Sequence, residues 1–470
     1  MAGLVLKNGF VVTPAGVVPG GIASEDGVIT VVAASGSLPK GDPEIDVHGS
    51  FILPGVIDPH VHLGTGGTAD DAKFLSDLAS ETRSGAAGGV TTIVTDHESA
   101  HGVSWVTTKL SRDGVSLLQL AKEAIPSRSP IDVRYTANPC TDDHLDEISN
   151  LVEQSVTSFK MFPSYVGAAA EEFGITTVDM SFIFRALEII GELDESWRPT
   201  QGMVHCEEPG ICDVLKARYR VENETLEWWT KSRPAICEAI QIFDVGMIAK
   251  ETGARVYIPH VSSEEGIRTL EYLRSRGADV VGETCPHYLV PDYPWHVGAL
   301  GKVNPPVRDN ANVEYLWHGI LSGVLDVIGS DNCRISLAEK RAKSMWDAIP
   351  GFSEIAETLP LLLSHGIAAG RIDWPTLAHL TAESPARRFA MYPRKGALQP
   401  GADADAVVVD PTERWVIHAA DLPSEAEFSI YEGMEMIGRP RMTVRRGEVI
   451  AEGGWVADHG GQYVESTGPP

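Results

Sequence analysis

Two histidines stand two residues apart at the end of a short apolar run, in the stretch VIDPHVHLG from residue 56 to residue 64. Side chains at positions i and i+2 of a β-strand point to the same face, so His60 and His62 could bind one metal ion. Two ordinary buried histidines, each hydrogen-bonded within the fold, would explain the same spacing. The pair alone therefore permits a metal site, and other residues must decide.

Residues that can bind metals or protons recur near the ends of later apolar runs, where a buried strand should be apolar. Lys160 lies in TSFKMFP, His205 in GMVHCE, His260 in ARVYIPHVSS and Asp331 in LDVIGSDN. Each has an ordinary alternative, because a histidine at a strand end is often only hydrogen-bonded and an aspartate is often a helix N-cap. Together with the first pair, they predict a single site if the fold brings these run ends together.

Lys160 is the unusual member of this set, because an ammonium group repels cations and is costly to bury. One interpretation is a strand lysine whose charge reaches outward to water. The other is a deprotonated amine that has added carbon dioxide, which gives a carbamate whose two oxygens each bind one metal ion. The carbamate interpretation predicts two metal ions about 3.5–4 Å apart, as in other binuclear hydrolytic sites.

Apolar, strand-like runs alternate with helical patterns through the middle of the chain. Helices are expected at MSFIFRALEIIGEL and at CEAIQIFDVGMIAKETG, whose last glycine would be a C-cap. The alternation predicts parallel βαβ units, and eight such units close into a (β/α)8 TIM barrel, an α/β fold whose site lies at the carboxyl ends of the strands. An open, doubly wound sheet is the alternative fold. The eight strand-like runs are FILPGVIDPHVH, TTIVTDH, IDVRYTA, TSFKMFP, GMVHCE, ARVYIPHVSS, ADVVGETCPHYL and LDVIGSDN.

Both ends of the chain differ from this middle part. Short β-branched runs separated by glycine, proline and asparagine fill the first fifty residues, and the same texture returns from about residue 396. Runs of this kind are typical of hairpins in an antiparallel sheet. We therefore predict a small β-sandwich domain formed by both termini, from residues 1–52 and 396–470, and a barrel over residues 53–395.

The amino-acid composition limits the possible binding partners of the chain and its cellular compartment. With 38 basic and 65 acidic residues the formal charge is −27, which argues against nucleic acid or an anionic membrane as a partner. No apolar run of about 18 residues and no leader is evident. Six cysteines without a CxxC pair fit reduced thiols in a cytoplasmic enzyme. Any metal ion must then be held by nitrogen and oxygen ligands; zinc is the default, and manganese or cobalt would also fit.

Several motifs resemble, in order and over nearly the whole chain, those of the cyclic amidohydrolases of the dihydropyrimidinase, hydantoinase, allantoinase and dihydroorotase group. These motifs are DPHVHLG, TSFKMF, VHCE, IPHVSSEEG, ETCPHYL, KVNPPVR and IGSDNC, followed by GADADAVVVDP. The resemblance implies a TIM barrel with a β-sandwich, a binuclear zinc-type centre and a homotetramer, or else a homodimer. It implies that one metal ion is held by His60, His62, carboxylated Lys160 and Asp331, and the other by Lys160, His205 and His260.

This set of residues predicts hydrolytic opening of a cyclic amide. Two cations lower the pKa of a bridging water from about 15.7 toward about 7, which supplies a metal-bridging hydroxide. Asp331 would act as general base toward that hydroxide and as general acid toward the departing nitrogen. Tyr165 has the position of the oxyanion-stabilising tyrosine in the dihydropyrimidinase and hydantoinase branch, although simple packing in the pocket wall is the alternative.

Departures from the family pattern indicate the kind of substrate. Gly64 stands where dihydroorotases carry the arginine that binds a substrate carboxylate, so we expect an uncharged ring. Asn304, expected to bind substrate together with Tyr165, replaces the usual serine. Asp347 stands where the branch often has asparagine, and His97 stands where the family typically has an aromatic residue.

Two loops, residues 64–71 and 163–174, contain mostly small residues, which suggests a roomier pocket than that of a uracil-catabolic enzyme. We therefore expect a non-standard cyclic amide, ureide or imide that opens like a hydantoin or dihydropyrimidine ring. An allantoinase or a cyclic-imide hydrolase is the alternative activity. A non-catalytic, dihydropyrimidinase-like assembly protein is disfavoured, because all six ligand positions and Tyr165 are present.

Overall fold

A computed structural model describes residues 3–65, 71–97, 116–164, 178–194, 198–220, 224–291 and 295–467. Its strands, numbered along the chain, are Val5–Thr13 (β1), Gly16–Glu25 (β2), Val28–Ala33 (β3), Glu44–Asp46 (β4), Phe51–Pro54 (β5), Val56–Leu63 (β6), Val90–His97 (β7), Asp132–Tyr135 (β8), Ser158–Met161 (β9), Gln201–Val204 (β10), Arg255–Ile258 (β11), Val280–Thr284 (β12), Leu325–Ile328 (β13), Asn332–Cys333 (β14), Ala406–Val416 (β15), Glu435–Arg445 (β16), Glu448–Glu452 (β17) and Trp455–Val456 (β18).

The α-helices within the described residues are Asp71–Ala87, Leu117–Arg128, Asp142–Glu153, Met180–Leu193, Pro209–Tyr219, Leu226–Lys231, Ala235–Thr252, Glu264–Ser275, Asn310–Leu321, Leu337–Lys340, Thr358–Leu362, Trp374–Ala378 and Ser384–Arg388. Two π-helical segments, Leu363–Ala368 and His379–Glu383, continue helices near the end of the barrel.

All eight predicted runs contain a strand of one closed, parallel barrel. Strands β6, β7 and β8 pair in order, β9 to β13 pair in order, and a parallel bridge between Ala137 and Phe159 joins the two groups. After β13 the chain returns to β6, where β14 pairs with it in parallel. This sequential, closed order confirms the predicted TIM barrel and excludes the open, doubly wound sheet.

The first predicted run holds two strands rather than one. Phe51–Pro54 (β5) pairs with strands of the terminal sheet, whereas Val56–Leu63 (β6) pairs with the barrel strand β7. Gly55 separates the two, and a side chain at this position would collide with Thr91. The chain therefore passes from the terminal domain into the barrel at a residue that has no room for a Cβ atom.

The expected helices form with recognisable ends. Asp179 caps the helix Met180–Leu193, because its Oδ1 accepts a hydrogen bond from the backbone nitrogen of Phe182 at 2.9 Å. Gly253 ends the helix Ala235–Thr252 with a φ of 72°, a conformation that favours glycine. No helix in the described ranges is long and apolar enough to cross a membrane.

Strands from both ends of the chain form one nine-stranded sheet, which agrees with the predicted β-sandwich domain built from both termini. Strand β5 joins the two contributions, because it pairs in parallel with β1 and antiparallel with β15. Leu6, Ile22, Ile52 and Val444 belong to a buried cluster distinct from the barrel core. The predicted domain limits at residues 52 and 395 stay a prediction.

A buried ion cluster joins this sheet to the barrel. The Nζ atom of Lys395, whose side chain is 1% exposed, lies 2.8 Å from Asp132, 3.1 Å from Asp403 and 2.5 Å from Asp405. Asp132 begins β8, and the other two aspartates precede β15. Burial tends to raise the pKa of Asp132, but Lys395 and Arg446 lower it to about 2. The lysine ammonium group thus takes the place that a metal ion would have among the three carboxylates.

Replacing Lys395 with methionine should destabilise the protein strongly, because three buried carboxylates would lose their shared partner. We expect Lys395→Met to lower the free energy of unfolding by about 3–5 kcal/mol, measured by urea denaturation at pH 7. The exposed Lys40 is the matched control, and Lys40→Met should change this energy by less than about 0.5 kcal/mol. Equal stability of the two variants would contradict this account of the cluster.

Candidate metal centre

The barrel brings the predicted ligand residues to the carboxyl ends of its strands. His60 and His62 lie near the end of β6, and Lys160 lies in β9. His205 directly follows β10, and His260 lies two residues after β11. Asp331 lies between β13 and β14. All six side chains are buried or nearly so, and they form two adjacent clusters.

His60, His62 and Asp331 form the first cluster. The Nε2 atoms of the two histidines are 3.0 Å apart, and Asp331 Oδ1 lies 3.1 Å from His60 Nε2 and 3.0 Å from His62 Nε2. The Nζ atom of Lys160 lies 2.6 Å from His60 Nε2. The two histidines of VIDPHVHLG thus face one point, together with a residue 269 positions away.

His205 and His260 form the second cluster, in which His205 Nδ1 lies 3.0 Å from His260 Nε2. The imidazole rings of His60 and His260 have centroids 5.3 Å apart, so the two clusters are neighbours. On its outer side His205 Nε2 is hydrogen-bonded to Glu207 Oε2 at 3.0 Å. Arg233 donates to the same carboxylate oxygen at 2.6 Å, which neutralises the buried Glu207.

Carboxylates behind the imidazoles determine which ring nitrogen faces each cluster. His60 Nδ1 is 2.7 Å from Glu283 Oε1, and His62 Nδ1 is 3.1 Å from Asp96 Oδ1. A carboxylate favours a proton on the nearby Nδ1, so the opposite Nε2 presents a lone pair. Lone pairs and the oxygen of Asp331 that face one another at about 3 Å repel unless a cation lies between them. The first cluster therefore fits a divalent metal ion.

The protonation states in the two clusters agree with this interpretation. Burial lowers the pKa of His205, and burial together with His205 lowers the pKa of His260 well below its usual value. Burial alone would raise the pKa of Asp331, but the neighbouring histidines, His60 foremost, hold it well below its usual value. Neutral imidazoles and an ionised carboxylate are the forms that bind metal ions.

Two of these residues have a backbone conformation that is unusual for side chains with a Cβ atom. His260 has a φ of 43° and Asp331 a φ of 54°, and such left-handed conformations cost about 1–2 kcal/mol each. Backbone hydrogen bonds hold them in place: Glu283 accepts one from the nitrogen of His260 at 3.0 Å, and Asp58 accepts one from that of Ser330 at 3.0 Å. Strain of this kind is concentrated at functional sites.

The sequence prediction missed the carboxylates behind the ligands, Asp96, Glu207 and Glu283. Asp96 and Glu283 lie in buried barrel strands, and Glu207 lies three residues after the end of β10. An acidic residue is unexpected in such buried segments unless it has a specific role. The letters were present in TTIVTDH, GMVHCE and ADVVGETCPHYL. The same criterion that found the histidines, a polar residue in an apolar run, would have found these acids.

The predicted substrate-binding residues are only partly described. Tyr165 lies outside the described residues, as do most of loops 64–71 and 163–174 and the side chain of His97.

Asn304 has a buried Oδ1 with no hydrogen-bond partner in the described part of the chain. Asp347 is half exposed and accepts a hydrogen bond from Arg220 at 2.5 Å. Gly64 has a φ of 84°, which favours glycine.

Comparison with known proteins identifies the family. The profile described as Amidohydrolase family matches residues 51–450. The chain belongs to the amidohydrolase family. The match includes the barrel, both histidine clusters and most of the C-terminal strands, so it agrees with the metal-centre geometry described above. Binuclear metal centres are expected in this family. The first cluster of this amidohydrolase has the geometry of a metal site, and the histidine pair of the second cluster lies beside it.

Individual relatives narrow the group within the family. Over 471 residues this amidohydrolase is 29% identical to a D-hydantoinase from Ralstonia pickettii, covering 97% of this chain and 96% of that protein. It is 30% identical over 460 residues to a D-phenylhydantoinase from Escherichia coli O81 (strain ED1a), covering 95% and 94%. The structure of an L-hydantoinase (dihydropyrimidinase) from Arthrobacter aurescens superposes with a TM-score of 0.87 at 27% identity, covering 99% and 100%. The predicted cyclic amidohydrolase of the hydantoinase group, a hydrolase, is confirmed.

Zinc should stabilise this amidohydrolase, because the facing acceptor atoms of the first cluster need a cation and the two histidines of the second cluster are further candidate ligands. We expect removal of metal with a chelator to lower the melting temperature, and zinc at about 100 times its Kd to restore about 2.7 kcal/mol of stability. The measurement is differential scanning fluorimetry with and without zinc. His260→Ala should reduce the zinc-dependent shift, whereas His48→Ala, at an exposed histidine, should keep it. A wild-type protein indifferent to zinc would contradict this expectation.

Proposed function

We propose that this amidohydrolase hydrolyses an amide bond in an uncharged cyclic amide, ureide or imide, opening a ring of the hydantoin or dihydropyrimidine kind. The observation that carries the proposal is the convergence of two histidine clusters and one lysine at the mouth of an amidohydrolase barrel. The relatives that are named hydantoinases and match almost the entire chain support the same reaction class. The product would be a ring-opened N-carbamoyl or carboxyamide compound.

The proposal assigns two divalent ions, zinc by default, to the two clusters. When bound, they would supply an activated water at neutral pH and polarise the ring carbonyl. The position of Lys160, buried and 2.6 Å from His60 Nε2, supports a carboxylated lysine between the sites, since an ammonium here would compete with a metal ion. The first ion would be held by His60, His62, Lys160 and Asp331, and the second by Lys160, His205 and His260.

Asp331 would move the proton during ring opening. Its low pKa keeps it ionised, so its oxygen can accept a proton from the attacking water and then give it to the departing ring nitrogen. Tyr165 would donate a hydrogen bond to the developing oxyanion. The buried, unpartnered Oδ1 of Asn304 supports its role as an acceptor for a ring N–H group.

Two basic side chains, Lys73 and Arg334, already have carboxylate partners within the protein, which supports an uncharged substrate ring. Lys73 donates to Asp77 Oδ2 at 2.9 Å and to the carbonyl oxygen of Arg334 at 3.0 Å. The guanidinium of Arg334 donates to Asp77 Oδ1 at 2.5 Å and to Glu425 at 2.7 Å. Both basic groups are therefore paired with carboxylates of the protein. A substrate carboxylate could bind them only by displacing those protein carboxylates.

We also propose a homo-oligomer, a tetramer or a dimer, as in the family resemblance. Two neighbouring barrel helices support it, because they leave large apolar side chains exposed. Phe243 and Tyr272 stack at 6.0 Å between ring centroids and are 40% and 50% exposed, and such patches are typical of interfaces. The six free, buried cysteines support a reducing, cytoplasmic location.

Ring-opening assays test the function directly. We expect zinc-loaded protein to open at least one substrate among dihydrouracil, 5-substituted hydantoins, allantoin and cyclic imides, with a larger hydantoin faster than dihydrouracil. Asp331→Asn should lower kcat by about 10²–10⁴-fold, because the amide cannot accept the proton. The exposed Asp279→Asn is the control and should keep kcat. No turnover of any of these rings would refute the proposed function, and equal use of dihydrouracil would refute the roomier pocket.

Replacing Lys160 tests the carbamate. We expect Lys160→Ala to lose bound metal and turnover together, since the bridging anion would be gone, whereas Lys250→Ala, at an exposed position, should keep both. Metal is counted by plasma mass spectrometry, and turnover is measured on the best substrate of the ring-opening assays. Full metal content and activity in Lys160→Ala would contradict the carbamate. A non-catalytic assembly protein would be indifferent to the substitution.

A further inference from the structure

Glu283 lies beneath the two clusters, on strand β12, and is completely buried. Its Oε1 is 2.7 Å from His60 Nδ1 and accepts a hydrogen bond from the backbone nitrogen of His260 at 3.0 Å. Its Oε2 accepts a hydrogen bond from the hydroxyl group of Tyr257 at 2.5 Å. One carboxylate therefore has three donors, which is sufficient to satisfy its buried charge.

These donors come from the two halves of the metal centre. His60 belongs to the first cluster, whereas His260 belongs to the second, and Tyr257 lies on the strand that leads to His260. On His60 the carboxylate determines which nitrogen is protonated and how the ring is turned. On His260 it holds a backbone with a φ of 43°, and the direction of that backbone determines where the imidazole points.

The neighbouring backbone leaves space for this carboxylate. A Cβ atom built on Gly329 would lie 2.5 Å from Glu283 Oε2 and 2.9 Å from the Cβ atom of His60. Gly329 belongs to the stretch IGSDN that carries Asp331. A methyl group at residue 329 would thus press on the carboxylate and on His60 at once, without altering Glu283 itself.

The other two carboxylates behind the ligands each contact one cluster. Glu207 is hydrogen-bonded to His205 of the second cluster. Asp96 lies beside His62 of the first and accepts a hydrogen bond from Asn138 at 2.9 Å. Among these three acids, Glu283 alone contacts histidines of both clusters within the described ranges. Glu207 is therefore a matched control of the same residue type and similar burial.

We propose that Glu283 is a positioning residue that couples the two metal sites, so that its loss weakens both together. This inference rests on the binuclear centre of the proposed function. The carboxylate keeps the Nε2 lone pair of His60 directed to the first ion and fixes the backbone that directs His260 to the second. Each ion then finds its ligands already oriented by a single buried group, with Gly329 providing the space.

Zinc titration of metal-free, full-length protein tests the coupling. We expect Glu283→Gln, which keeps the size but removes the charge, to lower the zinc affinity of both sites by about 10–100-fold. Glu207→Gln should lower the affinity of one site and leave the other within about threefold. The measurement is competition with a chromophoric chelator, with zinc counted by plasma mass spectrometry and folding checked by circular dichroism.

Gly329→Ala provides a second, independent variant. If Glu283→Gln does not fold, the same zinc titration is carried out on Gly329→Ala and interpreted by the same criteria. Loss at both sites in either variant supports the coupling. The coupling is overturned if a folded variant keeps wild-type zinc affinity or loses affinity at one site only. A merely structural role would change stability without changing the zinc affinity of both sites. Wild-type protein that binds two zinc ions but opens none of the rings would refute the proposed function and leave the coupling intact.

Discussion

The arrangement at the barrel mouth depends on repulsion between acceptor atoms. Two imidazole nitrogens and a carboxylate oxygen approach one another to about 3 Å in the first cluster. Without a cation this arrangement is unfavourable, and the strained backbone at His260 and Asp331 adds to the cost. The surrounding barrel must therefore hold the ligands in place, and a buried layer of acids behind them does so.

That layer explains why the centre tolerates so many ionisable groups. Glu207 is neutralised by Arg233, and Glu283 has three donors. Asp58 lies in the same region and accepts hydrogen bonds from the backbone nitrogens of His60 and Ser330; burial raises its pKa to about 7 despite these bonds. Of these three acids, Glu207 and Glu283 are thus paired with donors and Asp58 has a raised pKa, which limits the penalty for a charge in the barrel interior.

The sequence predicted the parts of the site that follow from strand periodicity. Ligands at strand ends converge in any closed parallel barrel, so His60, His205 and Asp331 could be combined before a structure was known. The acids behind them were present in the same runs, but no periodicity indicates whether Glu283 contacts one histidine or two. That depends on side-chain packing between β6, β11 and β12 and on the lack of a Cβ atom at Gly329.

Other features depend on contacts that a sequence pattern does not encode. The run at residues 51–62 reads as one apolar strand, yet its first four residues pair with β1 and β15, because the strand must end where the barrel begins at Gly55. Lys395 is one lysine among many in composition, and its three aspartate partners come from β8 and from the segment before β15. Only the folded chain brings these residues together.

The place of β5 in the terminal sheet has a consequence for biosynthesis. One edge of β5 pairs with β1, which the ribosome has already made, but the other edge pairs with β15, which begins at Ala406. Throughout translation of the barrel, β5 therefore has an unpaired edge, which in a nascent chain can pair with another strand or another chain. The barrel is synthesised between the two halves of this sheet, and β5 gains β15 as its second neighbour only when the C-terminal strands emerge.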